Sequence, residues 1–193
     1  MNEHGKIIGM FGGCHHCSDT LAGKIIVFFT SPPWHWKGKK TATHSSVGFI
    51  YDNGYREIYE AREGKSWQGP IPVTKVKRWV KRSPETRRFT MYDIPEFHID
   101  AEKAASKKDR CEAMLKMWSY NMLQLPYIAL GRFFIPITTF RSPNDVVCSE
   151  AASMILEPDV PVISLTGRRS VDLVTPRDFE KAMISITKQK GSK

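Results

Sequence analysis

No apolar run in these 193 residues is long enough to cross a bilayer; the longest, such as Ile25-Ile26-Val27-Phe28-Phe29, are strand-sized. The early stretch Ile7-Ile8-Gly9-Met10-Phe11 is also too short for the apolar core of a secretory signal, and its basic flank is weak. Phe11-Gly12-Gly13-Cys14 has a faint likeness to a lipoprotein cleavage site, against which the same shortness argues. Cysteine is sparse. Cys14, Cys17, Cys111 and Cys148 do not have the spacing of a dense secreted disulfide framework, so a reducing, cytoplasmic setting is the expectation. Internal repeats are absent, and so are low-complexity segments apart from a short polar end at 188–193. Acidic residues are few beside basic ones: 20 Asp and Glu against 29 Lys and Arg leave a formal charge of +9. Such a balance favours anionic partners. The basic residues cluster at 37–40, 75–82 and the end of the chain, but no recognised motif organises them, so nucleic acid is not the expected partner.

What is present is ordinary for a globular domain. Hydrophobic residues make up 41% and charged residues 25%, which excludes disordered, collagenous and fibrous classes. The length suits one core. Residues 1–17, rich in glycine and histidine, are expected as an N-terminal segment in a loop, 18–185 as the functional domain, and 186–193 as a frayed basic tail. Residues 19–24 can open a short helix or turn, and 25–29 fit either a buried strand or the end of that helix. Ser46 to Tyr51 reads as a strand, Asp52-Asn53-Gly54 as a hairpin turn, and 55–61 as the returning strand. Further strands are expected over 73–80 and 88–92 and a helix over 101–123, with His98 at a strand end. Asn144-Asp145 can start a second helix over 146–156, and Thr175-Pro176-Arg177-Asp178 a last one. Strands followed by helices make an α+β protein, with an antiparallel sheet packed against helices.

Thiol chemistry requires a cysteine that can become thiolate, a base beside it and a group that orients the base. Cys148 stands in the first turns of the expected helix, where outward-pointing N–H groups favour negative charge and can hold an oxyanion, Ser149 beside it included. His44 stands at the mouth of a strand, a rigid place from which to aim a base. Glu60 is a carboxylate in an apolar, strand-like setting that an antiparallel hairpin brings near His44, and Glu57 is the alternative of opposite strand parity.

Taken in order, His44-Ser45-Ser46-Val47-Gly48-Phe49-Ile50, Tyr59-Glu60-Ala61, Leu125-Pro126-Tyr127, Cys148-Ser149-Glu150 and Thr175-Pro176 resemble the circularly permuted NlpC-type papain-like amidases and peptidases, the YiiX/YaeF-like group. The likeness runs from about Ser18 to about Lys181. It implies a permuted papain-like fold in which Cys148 is nucleophile, His44 base and Glu60 third member, with Tyr127 near the site. Leu125 stands where that family usually has glycine. The resemblance also implies hydrolysis of an amide in a small peptide or cell-wall fragment, or chemistry on a lipid-type acyl group, with no cofactor.

Two other features compete. Cys14-His15-His16-Cys17 has the spacing of a zinc or redox pair, yet no second pair follows to close a four-ligand site, so a plain exposed loop is expected and no metal. Trp34 and Trp36 flank His35 in a loop over 31–43 that can cover the cleft; Trp36 can stack on substrate, although a half-buried loop anchor serves as well. Cys111 reads as structural.

Overall fold

In a computed structural model the chain is described over residues 5–16, 21–30, 41–60, 71–72, 78–79, 89–115, 119–120 and 145–189. The architecture is α+β. Strands β1 (Ile7–His15), β2 (His44–Tyr51), β3 (Arg56–Tyr59) and β6 (Phe89–Asp93), with the two-residue β5 (Arg78–Trp79), form an antiparallel sheet in the order β5-β3-β2-β1-β6. Two-residue strands β4 (Ile71–Pro72), β7 (Ser119–Tyr120) and β8 (Asp145–Val146) make a second, small sheet in the order β4-β7-β8. The helices are α1 (Leu21–Thr30), α2 (Ala101–Leu115), α3 (Cys148–Leu156), α4 (Val162–Thr166) and α5 (Pro176–Gln189).

The largest departure from the sequence reading is at the start of the chain. Residues 7–15 are no loop but a strand with partners on both sides, β2 and β6. Gly12 and Gly13, taken as loop markers, are there because neighbours come close. A Cβ on Gly12 would run into Met183 and Phe179 of α5, and one on Gly13 into Ser46 and the Phe89 ring. Met10, Phe11 and Cys14 on either side of them are fully buried.

The hairpin forms where expected. Gly54, at φ +78°, donates its N–H to Tyr51 O at 3.0 Å, and Tyr51 N–H closes on Tyr55 O at 2.9 Å. Residues 25–29 take the helical alternative, inside α1, where Thr30 Oγ1 bonds back to Ile26 O at 2.6 Å. The helix expected over 101–123 is shorter. It ends at Leu115, and Ser119–Tyr120 join β4 and β8, so pairing across the fold overrides local helix propensity. Only residues 78–79 of the strand expected over 73–80 are described, with 71–72 just before it, in β4. His98 lies in the turn before α2 rather than at a strand end, its N–H on Pro95 O at 2.9 Å.

The core fills the space between the sheet and the helices: Met10, Cys14, Val47, Phe49, Tyr51 and Tyr59 pack with Ala152, Ile155 and Leu156 of α3 and Phe179, Ala182, Met183 and Ile186 of α5. Ile186 therefore belongs to the core, and residues 186–189 to a helix rather than to a frayed tail. The start of α5 follows the expected chemistry. Pro176 occupies its first position, Thr175 Oγ1 donates to Asp178 Oδ2 at 2.8 Å, and Asp178 N–H returns to Thr175 Oγ1 at 3.2 Å.

Helix α3 is held at its far end by a cation. Lys107 of α2, 7% exposed, donates to Ile155 O at 2.8 Å and Leu156 O at 3.3 Å and pairs with Asp159 at 2.9 Å. A positive charge there complements the negative end of the helix dipole. Lys107→Met keeps the apolar stem but strands those carbonyls and leaves Asp159 with Lys103, 3.0 Å away. It is expected to lower unfolding free energy by about 2–3 kcal/mol, read by urea denaturation.

Candidate active site

Helix α3 starts two residues later than the sequence suggested, because residues 145–146 are strand β8. Val147, extended at φ −97° and ψ 162°, precedes the first turn, and the Glu150 carboxylate accepts the Val147 N–H at 3.3 Å. Glu150 so does the work expected of Asn144-Asp145. Cys148 becomes the first helical residue, at the positive end of the helix dipole and only 4% exposed.

His44 opens β2. The register places Tyr59 opposite Val47, so Glu60, one residue on, falls beside Ser46, diagonal to His44 and on its face of the sheet. The result is a hydrogen bond of 2.9 Å between His44 Nε2 and Glu60 Oε2, with the Glu60 side chain 1% exposed. The same imidazole acts on Cys148, by charge and by hydrogen bonding. Cysteine, histidine and glutamate thus form one chain of contacts.

Their charges shift in opposite directions. Burial alone would raise the Cys148 thiol, but the His44 charge and hydrogen bond, with hydrogen bonds from the backbone of Ser45 and Ser149, bring it below its usual value. Burial alone would also lower His44. It is outweighed by the charge and hydrogen bond of Cys148 and then by those of Glu60, and the imidazole rises well above its usual value. Both shifts favour proton transfer from the thiol to the imidazole, toward a thiolate–imidazolium pair.

Of the other expected site residues, Ser149 contributes its backbone and not its side chain. Its buried hydroxyl donates to Val174 O at 2.6 Å, tying α3 to the segment before α5. Tyr127 and Trp36 lie outside the described residues. The alternative carboxylate, Glu57, is on the opposite face of β3, as its parity requires. There it accepts Tyr51 OH at 2.6 Å and Tyr59 OH at 2.9 Å, and lies 3.5 Å from Lys108 Nζ. It has no part in the site.

Residues 14–16 of the Cys-His-His-Cys run are not an exposed loop. Strand alternation sends their side chains to opposite faces. Cys14 is fully buried in the core, and burial, with the charges of Glu180 and Cys148, pushes its thiol well above the usual range. His16 Nε2 pairs with Glu180 Oε1 of α5 at 2.6 Å. Among the described residues no group of three or more histidines, cysteines and carboxylates could hold a metal ion, and Cys17 lies outside them. Cys111 is buried, its thiol raised chiefly by burial, and none of Cys14, Cys111 and Cys148 is in a disulfide.

His15 is the residue that sequence reasoning missed. It is the cross-strand partner of His44, and its Nε2 lies 3.6 Å from the same Glu60 oxygen. Its only sequence signal was its place in the Cys-His-His-Cys run, which pointed to a different chemistry. Among the described residues, no helix is long and apolar enough to cross a membrane. Comparison of the chain with protein-family models, curated proteins and solved structures finds no match.

Proposed function

We propose that this chain is a cysteine hydrolase acting through an acyl-enzyme, with the strand and helix order of a circularly permuted papain-like enzyme. The observation that carries this reading is the chain of contacts from Cys148, first residue of a helix, through His44 to Glu60, with the 2.9 Å bond fixing the imidazole. A structural cysteine needs none of it. Cys111, buried in α2 with its thiol raised, is what such a residue looks like here.

In the proposed reaction the Cys148 thiolate attacks the carbonyl carbon of an amide, and the carbonyl π pair moves onto oxygen. The oxyanion is stabilised at the N-terminus of α3. Collapse re-forms the carbonyl and breaks the C–N bond, while the His44 imidazolium gives its proton to the departing amine. Neutral His44 then takes a proton from water, whose oxygen attacks the thioester. The acid leaves, and the thiolate–imidazolium pair is restored. Glu60 stays ionised and holds the imidazole in orientation.

The same steps serve an amide in a small peptide or cell-wall fragment and a lipid-type acyl ester; only the leaving group differs. The net charge of +9 favours an anionic substrate in either class. Incubation with a panel of chromogenic amides and thioesters, followed by intact-mass analysis of the quenched protein, tests the reading. An acyl adduct on Cys148 that forms and decays with turnover is expected. Turnover without such an adduct, undiminished in Cys148→Ala, would remove the mechanism.

A further inference from the structure

The Glu60 carboxylate has two imidazoles beside one oxygen, and the proposed reaction uses only one of them. Oε2 lies 2.9 Å from His44 Nε2 and 3.6 Å from His15 Nε2. The second distance is beyond a good hydrogen bond and within reach of an ion pair. His15 is held where it is on two sides. Its ring meets the edge of Phe89, centroid to centroid at 4.4 Å and inclined 62°, and meets His44 at 5.6 Å and 61°. The backbone sets this up, because His15 is paired with His44 on one side and with Phe89 on the other. Three adjacent strands thus place two histidines and an aromatic ring on one face, against a carboxylate with a 1% exposed side chain.

We propose that His15 is a positioning residue of the site: seated between Phe89 and His44, it confines the Glu60 carboxylate so that Oε2 stays on His44. The assignment rests on the reading of Cys148, His44 and Glu60 as a catalytic set. Its physical basis is that a carboxylate orients a base only while its own torsions are fixed, and a contact from a second direction adds to what fixes them. Nε2 of His15 faces Oε2 from such a direction. When His44 carries the thiol proton, the anion between the two rings is the group that stabilises it.

Packing alone is the competing account of His15, and the charges around it decide how the two are told apart. On its own face are Glu60 and His44, with Cys148 beyond His44 at the start of α3. On the opposite face are Cys14 and His16, the latter bound to Glu180 of α5, which also accepts Tyr92 OH of β6 at 3.0 Å. Substitution of His15 leaves the second group in place.

The test uses the full chain and iodoacetamide, with labelling of Cys148 followed by peptide mass mapping from pH 4 to 10. His15→Phe keeps a ring between Phe89 and His44 and removes the nitrogen; His15→Gln keeps an N–H near the Nε2 position and removes the ring. His15→Phe is expected to slow Cys148 labelling at pH 6 by about three- to tenfold, the scale of one hydrogen-bond-sized interaction. Its pH midpoint should move upward, because a less firmly held Glu60 makes the imidazolium, and so the thiolate, less stable. His15→Gln should recover most of the loss, and a near-native melting curve for both variants ties the difference to the site.

Native rates and midpoints in both variants, with slow labelling in Glu60→Gln, would overturn the role of His15 and leave the catalytic set standing. So would slowing in His15→Gln as large as in His15→Phe or larger; packing alone gives slowing in His15→Gln with near-native labelling in His15→Phe, which keeps the ring against Phe89. Cys148 unreactive in the native protein would instead overturn the proposed function, and the role of His15 with it.

Discussion

Cys148→Ser is expected to fold like the parent chain and to lose turnover by on the order of 10⁴-fold or more. The hydroxyl is close in size to the thiol, and the residue stays in the first turn of α3 with Val147 and Glu150 capping as before. What is lost is the ionisation. The His44 charge and the neighbouring hydrogen bonds stabilise an anion on sulfur, whose ordinary pKa is near ~8.5, whereas a serine hydroxyl is far too weak an acid for the same neighbours to ionise at neutral pH. Steady-state hydrolysis of whichever amide or thioester gives turnover in the native protein, with a thermal melt alongside, checks the expectation. Residual turnover near the native level in a folded variant would place the chemistry elsewhere.

His44→Ala has the second largest expected effect, and its direction follows from the two shifts. In the native protein the Cys148 thiol is lowered and the His44 imidazole raised, so the two shifts open a pH window in which the pair is charged. That window opens as pH rises through the depressed thiol value and closes where the imidazolium finally deprotonates. Without His44 the largest influence lowering the thiol is gone, while burial still raises it. The thiol should then ionise at or above ~8.5, so that at pH 6 fewer than about one thiol in 10² is ionised. Iodoacetamide labelling of Cys148 at pH 6 should slow by up to about 10²-fold and regain much of its rate at alkaline pH. A rate at pH 6 unchanged by the substitution would dissociate His44 from the thiol.

Much of this site was legible in the sequence because its residues sit where elements begin or end. His44 opens a strand whose Val-Gly-Phe-Ile alternation is plain, and Glu60 follows the partner strand after an Asp-Asn-Gly turn. Hairpin geometry then brings the two together. Cys148 could be placed at a helix start, although Asn144-Asp145 suggested the wrong first turn; the true cap relies on Glu150 reaching back, a side-chain contact that spacing alone hints at only weakly. The α+β order of elements followed from the same patterns.

What was not legible depends on neighbours distant in sequence. The Gly-Gly of β1 signals a loop until Met183, Phe179 and Phe89 are known to lie against it. Once residues 7–15 are a strand, Cys14-His15-His16 cannot turn inward together as a chelating loop would. Alternation gives Cys14 to the core, His15 to Glu60 and His16 a bond with Glu180. Likewise Ser149 reads as a site hydroxyl until Val174 O is seen to accept it.

Labelling of the native protein with iodoacetamide between pH 4 and 10, with every cysteine followed by peptide mass mapping, tests the central claim most directly. Labelling should be fastest at Cys148, with a midpoint below the ordinary thiol value near ~8.5, while Cys14 and Cys111 stay unmodified because burial keeps them as thiols. A Cys148 rate that rises only near or above pH 8.5, or faster labelling at Cys14 than at Cys148, would contradict an activated nucleophile at the head of α3.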